Sequence, residues 1–374
     1  MSNLFDYLDW RGDLTFGNVP LCVPDTLAFS VLSYVRLEAY IPNTPYGEPV
    51  RLSHAADAYF AARGAEELSQ NELFLKRAAA TPRFGQLRVF AAEQQLDREH
   101  GIQFAAYSVL LPGQNLLVCF EGTDDTLIGW REDLRMSYEC PVPAQLRAAA
   151  YLRAVAAAHP LRRIYAVGHS KGGNLAMYAA LHAGDAVRYR VRGVYNHDGP
   201  GFCDETLSTP VYAEMRDRIH TYLPQSSIVG VLLEHDDNYR ILQSSAKGLA
   251  QHDPLTWQLR GTDFLYATKR TAFGQKTEAI LDHFLSTLSP ERKRVFVEAL
   301  FTLLEATEQE TLSGIATNKL QSLKNAWKGL QTLDPELREM LGEAMDALTD
   351  SRRAVRRAEK RAAKELLQQS DRSS

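Results

Sequence analysis

Cysteine is scarce in this chain: four residues in 374, at Cys22, Cys119, Cys140 and Cys203. They are widely scattered, form no C-x-x-C pair and mostly sit in apolar surroundings. That excludes a disulfide scaffold and a cysteine-built zinc site, and points to reduced, buried thiols in a reducing compartment. A surplus of basic charge is also missing. The net charge of -4 argues against nucleic-acid binding by the body of the protein. No stretch reaches the roughly eighteen consecutive apolar residues of a membrane span. The opening Met1 to Asp6 carries an acid and lacks the basic-then-apolar order of a secretory signal. A cytoplasmic location is therefore expected, although an exported chain without a cleavable signal would read the same. There is no internal repeat. The acids Glu305, Glu308 and Glu310 have no histidines nearby, so neither a metal nor another cofactor is expected.

What the chain does have is ordinary globular material, 45% hydrophobic and 24% charged residues, in a length ample for a buried core. Apolar residues recur at helical spacing over 24–40, after an Asp25 placed to cap them, and again over 52–62. The period then changes. Leu87 to Phe90, Ile102 to Leu111 and Leu116 to Phe120 read as strands separated by turn residues, an antiparallel meander. Beyond it strands and helices alternate: helix 143–158, strand 163–168, helix 173–183, strand 190–196, helix 205–218, strands 219–223 and 239–243. Strands joined by helical crossovers imply a largely parallel sheet between helical layers. From about 275 everything reads as helix, with Ser289-Pro290-Glu291 and Asp334-Pro335-Glu336 as start signals. The expected organisation is an α/β domain over 1–270, a helical appendage over 271–350 and a basic helical or disordered tail over 351–374.

The most informative stretch is Tyr165 to Ala176, YAVGHSKGGNLA. A short β run meets Gly168-His169-Ser170-Lys171-Gly172, and a helix follows. G-x-S-x-G between strand and helix is the context of a nucleophile elbow. The serine is held in a strained conformation at a sharp turn, and only glycine at 168 and 172 avoids collision with the adjacent strand and helix. The following helix directs its positive end toward developing negative charge. Ser170 is thereby a candidate nucleophile.

An elbow needs an oxyanion hole, a base and an acid. One oxyanion donor is the amide of the residue after the nucleophile, Lys171; a second comes from the loop after an earlier strand, where Gly122 lets the chain turn so that the Thr123 amide faces the site. Here the residues carry a resemblance. "FEGTDDTLIGWREDL" (120–134) is similar to the F-R-G-T…W…D-L segment of class-three lipases, and "VGHSKGGNLA" to their G-H-S-L-G-G-A-L-A. More narrowly, the chain resembles an uncharacterised bacterial family of lipase-like proteins that begins "YLDWRGDLTF" (7–16) and closes its core with "QHDPLTW" (251–257). The resemblance covers about residues 3–270 and implies an α/β-hydrolase: a mostly parallel central sheet with an antiparallel start and helices on both faces, here with the C-terminal helical appendage.

In that superfamily the order is serine, acid, histidine. Of the histidines after Ser170, His182 lies in the helix leaving the elbow, His197 and His220 adjoin strands, and His235 and His283 are less well placed. His252 follows the last sheet strand after a loop of suitable length and is the expected base. His169 is expected to pack beside the sheet. Class-three lipases carry the acid in D-I-V-P, but here the text is Ser227-Ile228-Val229-Gly230, with serine in the aspartate position. Asp198, directly after strand 191–196 and followed by Gly199-Pro200-Gly201, occupies the position used by pancreatic-type lipases; Asp236 and Asp237 are the alternatives.

The Lys171 side chain is expected to be solvated, its amide alone being needed. Ile228 to Leu233 is apolar enough for a lid or acyl-binding wall, or for a turn of buried helix. The tail 351–374 holds eight Lys/Arg against three Asp/Glu, with Val355, Ala358, Ala362 and Leu366 at helical spacing, a pattern that suits weak contact with a membrane surface or an acidic protein. The expected activity is hydrolysis of carboxylic esters of lipid or other acyl compounds through an acyl-enzyme, with a small-molecule ester or lipid as partner. The alternative is a catalytically silent lipase-like scaffold that binds or acts as an effector.

Overall fold

A computed structural model describes residues 2–353 apart from 125, 203, 234, 237, 312–314, 316, 336, 344, 345, 347, 348 and 351. Cys203, Asp237, Glu336 and nearly all of the basic tail therefore lie outside the described residues. The chain packs as two compact units. One comprises 1–124, 128–133 and 141–270; the other comprises 125–127, 134–140 and 271–374.

The first unit is built on one eight-stranded sheet whose strands lie in sequence order. These are β1 (Val50–Arg51), β2 (Arg88–Asp97), β3 (Ile102–Leu111), β4 (Asn115–Phe120), β5 (Arg163–His169), β6 (Val191–His197), β7 (Ile219–Pro224) and β8 (Tyr239–Leu242). Pairing is antiparallel from β1 to β4 and parallel from β4 to β8. The helices before β2 are α1 (Leu4–Arg11), α2 (Val23–Leu32), α3 (Leu52–Ala62), α4 (Gln70–Ala79) and α5 (Pro82–Gly85). Then come α6 (Leu127–Arg135), α7 (Pro143–Ala158), α8 (Lys171–His182), α9 (Asp185–Arg188), α10 (Asp204–Leu207) and α11 (Pro210–Met215). A two-stranded ribbon of β9 (Leu259–Arg260) and β10 (Asp263–Phe264) stands apart from the main sheet.

Alternation along β4 shows why helices cover both faces. Leu116, Val118 and Phe120 belong to a core shared with α7 and α8. Leu117 and Cys119 belong to a second core shared with α1 to α5. A central strand apolar at every position must be buried on both sides, and β4 is buried from Leu116 to Phe120. The result is a mixed α/β fold with a mostly parallel sheet between helical layers, compatible with an α/β-hydrolase-like fold.

The opening motif YLDWRGDLTF is held by one buried cation. Arg83, on α5, pairs with Asp25, and neither side chain is exposed. The guanidinium also donates to the carbonyls of Leu14, Val19 and Pro20 and lies 3.9 Å from the Phe16 ring centroid. Tyr7 donates its hydroxyl to Asp25 at 2.7 Å. All donors around Asp25 converge on one carboxylate, the arrangement that lets an ion pair survive full burial.

Three details differ from the sequence-based expectation. The first helix ends at Leu32 rather than near 40, where the Ser30 and Ser33 hydroxyls donate back to the Thr26 and Ser30 carbonyls and compete with the helix ladder. The stretch 205–218 is not one helix. Thr209 caps Tyr212 and Pro210 opens α11, so the chain breaks before it. Cys140 is exposed, whereas Cys119 is buried and Cys22 half-buried.

In the second unit, α12 (Ala272–Thr287), α13 (Pro290–Glu305) and α14 (Lys319–Thr332) are the long helices. Ser289 caps α13 with Pro290 at its first position. Ala299, Leu333 and Leu341 form a small core with Phe296, Leu303, Leu330 and Leu337 packed on it. No described helix is long and apolar enough to cross a membrane.

Candidate active site

The β5–α8 junction is a strained turn. Ser170 has φ 56° and ψ -133°, a conformation that L-residues rarely adopt. The turn is close-packed on both sides. A methyl group on Gly168 would lie 2.1 Å from the Gly172 carbonyl carbon, and one on Gly172 would lie 2.3 Å from the Phe120 oxygen. Glycine at these two positions lets α8 start directly against β4 and β5. Ser170 then projects from the carboxyl end of the sheet, its own amide held by the His197 carbonyl at 2.9 Å.

His252 reaches this hydroxyl from 82 residues further on, with Nε2 3.0 Å from Ser170 Oγ. Its other nitrogen, Nδ1, lies 2.7 Å from Asp198 Oδ2. Asp198 is fully buried directly after β6, also at positive φ, 55°. Its amide donates to the Tyr222 carbonyl at 2.9 Å, and the following turn is closed by Gly199 donating to Asn196 Oδ1 at 2.9 Å. Burial raises the Asp198 carboxyl above its ordinary range, opposed by His252, Ser227 and Arg270. An ionised Asp198 can only accept, so Nδ1 carries the imidazole hydrogen and Nε2 is left to accept from Ser170. Three residues from the ends of β5 and β6 and from the loop after β8 thus form one hydrogen-bonded line.

The imidazole is anchored through its backbone. His169 Nε2 is 2.8 Å from the His252 carbonyl, and Tyr34 Oη is 2.8 Å from His169 Nδ1. Tyr34 donates, which makes Nδ1 the acceptor and Nε2–H the donor. Burial holds the His169 ring well below the ordinary imidazole range, so it stays neutral in this role. His169 is thus a bonded support for His252 and does more than pack beside the sheet. Trp257 Nε1 donates to the Gln251 carbonyl at 2.7 Å, and Gln251 Oε1 accepts from the Ser226 amide at 2.8 Å. These contacts fix the QHDPLTW segment over the end of β7.

Ser227 stands at that end, and its hydroxyl bonds Asp198 Oδ1. The Gly230 amide donates to Ser227 Oγ at 3.0 Å, so the serine hydrogen is directed to the carboxylate. The residue in the aspartate position of the D-I-V-P segment is therefore a partner of Asp198. The stretch 228–233 contains a single 3₁₀ turn, Val229–Val231, packed so closely that a methyl on Gly230 would lie 2.3 Å from Asp198 Oδ1.

The remaining candidates lie elsewhere. His182 stacks on Tyr178 with ring centroids 4.2 Å apart. His197 is buried with Nε2 3.0 Å from Thr26 Oγ1, and burial lowers its ring to about 3. His220 packs on Tyr195. Burial lowers His235 to about 4, and His283 is exposed on α12. Asp236 pairs with Arg216, and Asp237 lies outside the described residues.

Thr123 and Lys171 are the two expected oxyanion donors. Thr123 follows β4 and bonds Asp133 through its hydroxyl; Lys171 is the first residue of α8, where a helix amide has no partner within the helix. The lysine side chain corrects the sequence-based expectation. It is fully buried rather than solvated, with Nζ 2.9 Å from the Gln103 carbonyl and 3.2 Å from Glu132 Oε2. Burial pushes the neighbouring Asp133 carboxyl up to about 6, with Lys171 opposing, and pushes Glu121 up to about 8, with Arg36 opposing. Gln103, Glu132 and Tyr34 carry no signal in the sequence, and Ser227 shows there only as a serine in an aspartate position, since each acts through a partner distant along the chain.

A mostly parallel sheet with a serine turn at the carboxyl end of β5 is compatible with an α/β-hydrolase-like fold. The family model for Mbeg1-like proteins matches residues 78–302, more than half of the chain. The chain belongs to the Mbeg1-like family, whose members are lipase-like. Comparison with curated proteins and with solved structures gave no match.

Proposed function

We propose that the chain is a serine hydrolase of the α/β-hydrolase superfamily, related to class-three lipases, that cleaves carboxylic esters of lipid or other acyl compounds through an acyl-enzyme. The observation that carries this reading is the hydrogen-bonded line Ser170–His252–Asp198, at 3.0 and 2.7 Å, with the serine on a strained turn. Ser170 attacks the ester carbonyl while His252 Nε2 takes its proton, and His252 then hands that proton to the leaving alkoxide. Asp198 fixes the tautomer and stabilises the imidazolium. The amides of Thr123 and Lys171 hold the oxyanion, aided by the positive end of α8. Water, deprotonated by His252, releases the acyl group.

The test is labelling with a fluorophosphonate probe beside turnover of p-nitrophenyl esters and thioesters of graded acyl length. Wild type is expected to label and turn over, and Ser170→Ala to lose both while keeping its fold, with turnover falling by about 10⁴-fold or more. Turnover in Ser170→Ala equal to wild type removes the assignment. A wild type that folds yet neither labels nor hydrolyses leaves the scaffold reading in its place.

A further inference from the structure

A buried ammonium next to a nucleophile needs acceptors, and Lys171 Nζ has three. These are the Gln103 backbone carbonyl, the Gln103 side-chain oxygen and Glu132 Oε2. Glu132 is itself pinned, accepting from the Gln103 amide at 3.1 Å and the Ala144 amide at 2.9 Å. The arrangement dictates which way the Gln103 amide points. An ammonium can only donate, so it selects the oxygen, and Nε2 is left facing the other way. There it donates to the Gly122 carbonyl at 3.3 Å.

That carbonyl belongs to the Gly122–Thr123 peptide. In a planar trans peptide the C=O and N–H point in opposite directions, so holding the Gly122 oxygen from one side aims the Thr123 N–H to the other. The peptide has little room to rotate. A methyl on Gly122 would lie 2.0 Å from the Tyr34 hydroxyl and 2.6 Å from the His169 carbonyl. A second tether acts on the same residue: the Thr123 hydroxyl bonds Asp133 Oδ2, and Asp133 Oδ1 lies 3.9 Å from Lys171 Nζ.

Resting on the proposed function, we infer that Lys171 and Gln103 are positioning residues for the oxyanion site. The backbone of Lys171 supplies one donor, and its side chain, through Gln103, aims the other. Both donors are thereby referenced to one buried ammonium, so that neither must reorient when charge develops on the substrate oxygen.

The experiment compares wild type with Gln103→Met, Gln103→Glu and Lys171→Met. Gln103→Glu keeps an acceptor for Lys171, replaces the donor to the Gly122 carbonyl by an acceptor and adds a charge, whereas Gln103→Met removes the donor without adding one, so the pair separates loss of the donor from added charge. Gln103→Met and Gln103→Glu are expected to lower kcat by about 10- to 100-fold with KM within about threefold, the pattern of an interaction realised in the transition state. The infrared carbonyl stretch of a ¹³C-labelled acyl-enzyme is expected to move to higher frequency as its hydrogen bonds weaken. Lys171→Met should lose at least as much. A purely structural role would shift the thermal midpoint and leave both kcat of the folded enzyme and the carbonyl frequency unchanged. Folded Gln103→Glu enzyme with wild-type kcat and an unshifted carbonyl overturns the inference and leaves the hydrolase reading intact. A wild type that neither labels nor hydrolyses removes that reading, and this inference with it.

Discussion

Replacing Asp198 by asparagine tests the acid in a way this structure makes quantitative. Asparagine tolerates the positive φ of this position better than alanine does, so backbone strain does not confuse the result. The side chain has two ways to sit. With its oxygen toward His252 Nδ1, the imidazole keeps the productive tautomer and loses only the negative charge beside it. With its NH₂ toward Nδ1, the tautomer inverts, Nε2 becomes a donor, and the serine has no base; that inversion costs about 10⁴ in kcat. The choice is made by what faces the other atom, and here that is the Ser227 hydroxyl. The Gly230 amide donates to Ser227 Oγ at 3.0 Å and turns the hydroxyl hydrogen toward position 198, so the atom of asparagine that suits Ser227 is its oxygen. The second orientation is therefore favoured by about one hydrogen bond, about 1 kcal/mol. Asp198→Asn is expected to lose about 10⁴-fold in kcat. Asp198→Asn/Ser227→Ala removes the preference and should recover part of that loss.

The assay is kcat and kcat/KM on a p-nitrophenyl ester for Asp198→Asn, Ser227→Ala and the double variant, with thermal melts to show that each is folded. Wild-type kcat in Asp198→Asn would refute the acid. A double variant no faster than Asp198→Asn would refute the orientation argument while leaving the acid in place.

Other perturbations have equally definite outcomes. Burial pushes the Glu121 carboxyl up to about 8 against an ordinary value of 4.5, so the folded chain binds the proton more tightly across that window. Its contribution is full below pH 4.5 and is lost as pH rises through 8; melts of Glu121→Gln should show a thermal midpoint that falls less between pH 5 and 9 than wild type does, and parallel curves would contradict this. Gly172→Ala drives a methyl into the Phe120 carbonyl and should cost about 3 kcal/mol or more, read as a drop in the denaturant midpoint; a change below about 1 kcal/mol would show that the elbow can relax. Tyr34→Phe removes the donor to His169 and should cost a few-fold in kcat with little change in KM, about 1 kcal/mol; an unchanged kcat would detach His169 from the support of His252. Arg83→Met leaves Asp25 buried without its counter-ion and should destabilise the first unit by about 3–5 kcal/mol in chemical denaturation; a near-neutral result would mean that Tyr7 and the Cys22 amide alone satisfy the carboxylate.

Much of this architecture is written locally and could be read so. The short apolar runs of β3 and β4, the change of pattern before α7, and the glycines on either side of Ser170 are each set by neighbours within a few residues, because strand pleat, helix turn and steric exclusion at a tight bend act over that range. The grouping of Ser170, Asp198 and His252 was open to reading for a related reason. Parallel strands in sequence order bring successive strand ends to one edge, so residues just past those ends become neighbours without any need to know how side chains pack. Where the reading failed, the deciding partner was remote. Nothing in G-H-S-K-G says that the lysine is buried, because its acceptors Gln103 and Glu132 lie 68 and 39 residues upstream, and an exposed lysine is the ordinary outcome. The same holds for Ser227, which reads as a lost aspartate until the fold sets it against Asp198. It holds too for Arg83, whose role shows only once Leu14, Val19 and Pro20 turn their carbonyls toward it. Sequence pattern locates the groups that do chemistry, since they must stand at strand ends; the residues that aim them are chosen by whichever distant atoms the packing leaves unsatisfied. In this chain such residues are polar groups buried around the serine, and Lys171 belongs to both sets at once.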